Sequence, residues 1–134
     1  MLRTYAGSCH CGAVRYEADI DLTKGTTKCN CTFCFKARLW GAIIKPHAFR
    51  LVGWQDELSD YSKPGAAVHH IFCRQCGIRS FERGHLEVLG GDYVTVNVSC
   101  LDDLDPAELA AAPVTYLDGR HNSWFSTPSE IRHL

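Results

Sequence analysis

Strand-like alternation dominates the chain. Val14, Tyr16 and Ala18 alternate with Arg15 and Glu17, Phe49 and Leu51 flank Arg50, and Val94, Val96, Val98 and Cys100 alternate with Thr95, Asn97 and Ser99. A two-residue period places one face of a strand in a core and the other outside it. The run from Val94 to Cys100 is the clearest half-buried strand of this kind. Turn signals at Lys63-Pro64-Gly65 and Gly90-Gly91-Asp92 separate such runs. Two helix starts lie late in the chain. Asp105-Pro106-Ala107-Glu108 offers a capping residue, a proline at the first helical position and a glutamate at the third, followed by an alanine run that Pro113 stops. Thr127-Pro128-Ser129-Glu130 repeats that logic. With no internal repeat, low-complexity segment or linker, the pattern predicts a single mainly β domain over residues 1–134, with short C-terminal helices.

Charge narrows the classes of partner. Fourteen Lys and Arg against 15 Asp and Glu in 134 residues leave the chain close to neutral, and the basic residues form no run or stripe. Nucleic-acid or membrane-surface binding needs a concentrated positive field, so neither is expected. The N-terminal stretch MLRTYAGSCHCG has no signal-peptide core, and the longest apolar run, Trp40 to Ile44, is too short for a bilayer. A cytoplasmic protein is expected.

That placement bears on the eight cysteines. Cytosolic reductants keep thiols free, so clustered cysteines there point to metal rather than to disulfides. Seven of the eight are grouped: Cys9 and Cys11 around His10, then Cys29, Cys31 and Cys34, then Cys73 and Cys76. Cys73-Arg74-Gln75-Cys76-Gly77 has the form of a knuckle that aims two sulfurs at one point, with Gly77 free to take a positive φ. Cys9-His10-Cys11-Gly12 is the natural supplier of the other two. In an ideal strand Cys9 and Cys11 would stand roughly 6.6 Å apart at their Cα atoms, so a local bend is expected there. The four together predict a closed structural zinc site that ties the N-terminal strand to a segment far along the chain.

Cys29, Cys31 and Cys34 then form a second set with only three sulfurs. Three protein ligands and an open corner are what a reactive zinc needs. Three thiolates on a divalent ion leave a net charge of −1, which weakens the ion as a generator of hydroxide but suits it to hold an incoming thiol. The alternatives are a different partition of the seven cysteines, or a second structural site closed by a histidine or by Cys100. Cys100 shares the phase of Val94, Val96 and Val98 and reads as a small buried hydrophobe. His10, His69 and His70 read as surface or packing residues. Phe33 and Trp40 are candidates for a pocket wall, but aromatics at strand positions are usually core, and His121 and Trp124 stand between the same two readings.

In their order, Cys-x-Cys, Cys-x-Cys-x-x-Cys and Cys-x-x-Cys-Gly resemble the glutathione-dependent formaldehyde-activating enzyme family. Gly7-Ser8-Cys9-His10-Cys11-Gly12, Phe72 to Gly77, Val96 to Asp102 and Asp118-Gly119-Arg120 resemble further segments of it. The resemblance implies a zinc-bearing β-tent of antiparallel sheets, structural zinc on Cys9, Cys11, Cys73 and Cys76, and catalytic zinc on Cys29, Cys31 and Cys34. It also implies the reaction, addition of glutathione to formaldehyde to give S-(hydroxymethyl)glutathione, which makes a carbon–sulfur lyase. Glutathione would need cations for its carboxylates, and Lys36, Arg38 and Lys45 follow the three-cysteine motif. Two rival readings share the cysteine pattern: a lyase acting on another thiol adduct, and a non-catalytic zinc-binding interaction module like proteins resembling centromere protein V. An open three-cysteine site belongs to either enzyme and not to the module.

Overall fold

The computed structural model describes residues 1–53 and 55–134. Its elements run in the order β1 (Arg3–Ser8), β2 (Arg15–Ile20), β3 (Thr26–Cys29), α1 (Thr32–Ala37), β4 (Gly41–Ile44), β5 (Phe49–Leu51) and β6 (Leu58–Tyr61). There follow β7 (Val68–Cys73), β8 (Arg79–Leu86), β9 (Gly91–Asn97), α2 (Pro106–Ala111) and β10 (Val114–Leu117). The strands form two sheets. A three-stranded sheet has the order β1-β2-β5, and a seven-stranded sheet has the order β10-β3-β4-β9-β8-β7-β6. The fold is mainly β, as the alternation predicts. One pair departs from the expected antiparallel pattern: β10 runs parallel to β3.

The two sheets bury their facing alternates against each other. Tyr16, Ala18 and Ile20 of β2 point inward, while Glu17 and Asp19 meet Arg50 on the outside. Tyr16, Phe49 and Phe81 form the centre, with ring centroids 5.0 Å apart for Tyr16–Phe49 and 4.5 Å for Phe49–Phe81. Burying side chains of this size stabilises by about 1.5–3 kcal/mol each.

The reading of residues 94–100 as one half-buried strand is corrected in two respects. β9 ends at Asn97, whose side-chain oxygen accepts from the Ser99 amide at 3.2 Å and turns Val98–Cys100 into a short 3-10 segment. A side chain that serves the backbone in this way competes with the strand ladder. The outward residue Thr95 is also buried, because it forms part of the floor of a cleft on the outer face of the large sheet.

The helix at Asp105 forms as expected, with the Asp105 carboxylate accepting from the Ala107 amide at 2.9 Å and Pro106 at the first position. The segment at Thr127-Pro128-Ser129-Glu130 is not helical; Ser126 and Thr127 instead line the same cleft. No helix among the described residues is long and apolar enough to cross a membrane.

Candidate metal centres and the cleft beside them

The N-terminal cysteine pair sits where β1 stops. Past Ser8 the chain bends through Cys9–Gly12, the Gly12 amide donating to the Cys9 carbonyl at 3.2 Å and Gly12 itself adopting φ +82°. This is the expected bend. At the β7–β8 turn the Gly77 amide donates to the Cys73 carbonyl at 2.8 Å, and Gly77 takes φ +77°. Both glycines occupy the left-handed region that disfavours side chains. A register shift between Ile71 and Phe72 bends β7 just before the knuckle.

These two turns meet. The four sulfurs of Cys9, Cys11, Cys73 and Cys76 lie within 4.8 Å of one another. Cys9–Cys11 and Cys11–Cys73 are separated by 3.7 and 3.6 Å at sulfur. A tetrahedron with zinc–sulfur arms of about 2.3 Å has edges of about 3.8 Å, so the sulfurs match that ion. They are free thiols, and backbone amides already point at them, among these Val14 at Cys9, 3.2 Å, and Gln75 at Cys73, 3.3 Å. Such bonds favour the thiolate. The Cys11 amide is the main group holding the Cys76 thiol down at about 6.

The second cluster is built from the end of β3 and the start of α1. Cys29 closes the strand, Cys31 caps the helix by accepting from the Cys34 amide at 3.3 Å, and Cys34 sits in the first turn. The Cys31 amide donates to the Cys29 sulfur at 3.3 Å. All three sulfurs fall within 4.8 Å of one another. Hydrogen bonds with Cys29 and Cys34 hold the Cys31 thiol well below the usual range, while Cys29 and Cys31 push the Cys34 thiol up. Three thiols so close cannot all ionise without a cation among them. Cys100 is buried and belongs to neither cluster.

Asn30, between two of these cysteines, carries a positioning network that the sequence does not advertise. Its side chain donates to Asp118 at 2.8 Å and accepts from the Arg120 amide at 2.9 Å, and its carbonyl accepts from the Arg120 guanidinium at 3.1 Å. The parallel register Leu117↔Cys29 sets the turn that follows β10 directly over the cluster. Gly119 in that turn is there for space. A Cβ on it would stand 2.6 Å from the Cys29 sulfur and 2.5 Å from the Trp124 ring. Gly119→Ala is therefore expected to reduce metal held at the three-cysteine cluster and to cost about 1–3 kcal/mol of stability. Metal content and urea unfolding check this, and unchanged values for both would refute it.

Beside the cluster a cleft of about 510 Å³ opens, reached by Cys29, Cys31 and Cys34. This volume is within the range of small-molecule sites. Phe33 and Trp124 line it, which fits the pocket reading of the two; Trp40 does not, lining a separate cavity of about 80 Å³ on another side of Cys29 and Cys34. His121 is exposed and meets Asp118 at 2.9 Å. His69 points outward to Asp60, while His70 points into the cleft and stacks on Phe33 with ring centroids 3.6 Å apart. His70 thus packs as expected, but it also faces Glu82, a carboxylate 8% exposed, at 2.8 Å. The β7–β8 register pairs these two residues across strands. Lys36, Arg38 and Lys45 do not converge on the cleft. Lys36 is exposed on α1, Arg38 donates to the His133 carbonyl at 2.6 Å, and Lys45 reaches the Leu89 carbonyl.

A crystal structure of a Rhodobacter sphaeroides protein is similar to this chain, with a TM-score of 0.68 and 30% identity over 82% of this chain and 99% of that one. The sequence model of the glutathione-dependent formaldehyde-activating enzymes matches residues 4–118. With that match over most of its length, the chain belongs to the glutathione-dependent formaldehyde-activating enzyme family.

Proposed function

We propose that the protein makes and breaks the carbon–sulfur bond between a thiol and a small aldehyde, the family's example being glutathione and formaldehyde. The observation that carries this reading is the cluster of Cys29, Cys31 and Cys34, three sulfurs within 4.8 Å of one another beside a cleft of about 510 Å³. Cys9, Cys11, Cys73 and Cys76 would hold a structural zinc ion, and the three-cysteine cluster a second. Zinc on three thiolates supplies an open position with affinity for a further sulfur, which favours the thiolate form of a substrate thiol at neutral pH.

The chain's own groups do the rest. Phe33, Trp124 and the wall around them hold the two reactants together and limit water, which is where an addition of this kind gains most. In the forward direction the thiol loses its S–H bond, its sulfur bonds the carbonyl carbon, and the carbonyl oxygen gains a proton. His70, backed by Glu82 at 2.8 Å, is the group placed on the cleft wall to deliver that proton and to take it back in the reverse direction.

Proton-exchange NMR tests this on the zinc-loaded protein, with formaldehyde and either glutathione or a simple alkyl thiol. Interconversion of free and adduct thiol is expected to speed up in proportion to protein concentration, above the spontaneous rate. His70→Phe keeps a ring for the stack on Phe33, so it is expected to retain both metal ions and to lose roughly 10²–10⁴-fold in rate. No acceleration with either thiol would refute the reading.

A further inference from the structure

The wall of the cleft is at odds with a tripeptide that carries two carboxylates. Its apolar side chains come from segments far apart in the chain, among them Ile43, Val68, Leu86, Val88, Leu117 and Phe125. None of its lining residues among those described is Lys or Arg. Its one carboxylate among the described residues, Glu82, faces His70 at 2.8 Å and the Arg79 guanidinium at 3.5 Å, and the buried Arg79 nitrogens make no hydrogen bond of their own. Arg79 itself lies across the Phe33 ring, 5.2 Å from its centroid, and lines a different cavity. A buried carboxylate without a partner is strongly disfavoured.

Two further cations near the three-cysteine cluster are no better placed. Lys28 and Arg38 reach the cluster only from the other side, in a cavity of about 80 Å³ that Leu134 also lines. There Lys28 lies over the Trp40 ring and donates to the Leu134 carbonyl at 3.4 Å, and Arg38 donates to the His133 carbonyl at 2.6 Å. That space is far below the 300 Å³ or so at which ligand sites begin. Three thiolates around a divalent ion add a net charge of −1, which further disfavours an anionic substrate. Meanwhile Phe125 is 86% exposed and Val88 61% exposed at the edge of the cleft, apolar surface that an apolar ligand would cover.

We infer that the thiol this cleft selects is an uncharged one with an apolar body, whose hemithioacetal with a small aldehyde is made and broken at the three-cysteine cluster. The inference rests on the proposed thiol site and changes the class of its substrate. Sulfur enters beside Cys29, Cys31 and Cys34, and the apolar body lies along the floor formed by Tyr93 and Thr95. The bond changes are those already given: S–H and C=O are consumed, C–S and O–H are formed, and no oxidant or reductant takes part.

Calorimetry on the zinc-loaded protein separates the possibilities with three probes: phenylmethanethiol, its S-methyl thioether, and glutathione. Phenylmethanethiol is expected to bind at least roughly tenfold tighter than either of the others, with little dependence on salt, as apolar burial predicts. Val88→Lys puts a cation on the exposed edge and is expected to narrow the gap in favour of glutathione. Glutathione binding as tightly as phenylmethanethiol, or a gap that Val88→Lys leaves unchanged, would overturn the inference while leaving the thiol site standing. A thioether that binds as well as the thiol, or no binding by any probe, would remove the thiol site and the inference with it.

Discussion

Cys73→Ser is expected to give a chain that does not reach the native fold. Cys73 is fully buried at the end of β7, its sulfur 3.6 Å from that of Cys11 and 62 residues from it along the chain. The four-sulfur cluster therefore joins the turn after β1, in the three-stranded sheet, to the β7–β8 turn in the seven-stranded one. The packing around it is thin: Val14 and the cysteines themselves form its buried centre, with Ala13 and Leu58 beside them. Covalent closure of a loop of that length is worth about 4 kcal/mol in chain entropy alone. Structural zinc in small domains contributes about 10–16 kcal/mol, as much as the 5–15 kcal/mol by which a whole domain is stable. A serine hydroxyl is a poor replacement for a soft thiolate, so a zinc ion held there would be lost with most of that stabilisation. Circular dichroism and native mass spectrometry read the result, and Cys100→Ser serves as the control. Cys100 is equally a buried cysteine but touches neither cluster, so its variant should fold with both metal ions and lose no more than about 1–3 kcal/mol. A Cys73→Ser protein with an unshifted urea midpoint would show that the cluster is not a staple.

How far the sequence could be read follows from how local each signal is. The partition of seven cysteines is legible because thiol chemistry and short spacings dictate it, and Gly12 and Gly77 mark the two bends. The inward faces of β2, β5 and β9 are legible for the same reason, a period of two. What escapes is set by partners distant in sequence. Asn97 ends β9 early through a bond of its own side chain, and no period announces that. The residues from Thr127 meet the cleft instead of starting a helix, although the capping pattern is present. α1 has only one turn to spare beyond its cap and is held by the cysteines themselves, so its periodicity is too short to recognise. His70 and Glu82 look like ordinary polar strand residues until the β7–β8 register sets them opposite each other beside the cluster. Asn30 carries no signal of its own between Cys29 and Cys31, yet the parallel β3–β10 pairing makes it the link to Asp118 and Arg120. The lack of cations in the cleft is likewise invisible in a chain whose Lys36 and Arg38 adjoin the motif.

Cys31→Ser is expected to do the opposite of Cys73→Ser: to keep the fold and abolish the chemistry. Cys31 is half-buried and belongs to neither core cluster. Its one structural task is to cap α1 by accepting from the Cys34 amide at 3.3 Å, and serine is among the best residues for that position. The substitution therefore isolates ligation from folding. With two sulfurs left, the cluster is expected to lose its ion; the affinity loss should exceed the roughly 10–100-fold that follows from losing a mere outer partner of a ligand. The purified protein should carry one metal ion per chain where wild type carries two, melt within a few degrees of wild type, and exchange thiol adducts at the spontaneous rate. Retention of two ions with full exchange would exclude the three-cysteine cluster as the reactive centre. Unfolding on this substitution would make the cluster a second staple, and the interaction-module reading would then replace the enzyme. The two serine variants thus separate roles that the cysteines share in appearance: a sulfur sealed at 0% exposure between sheets is expected to act on the fold, and a half-buried one beside an open cleft on a ligand.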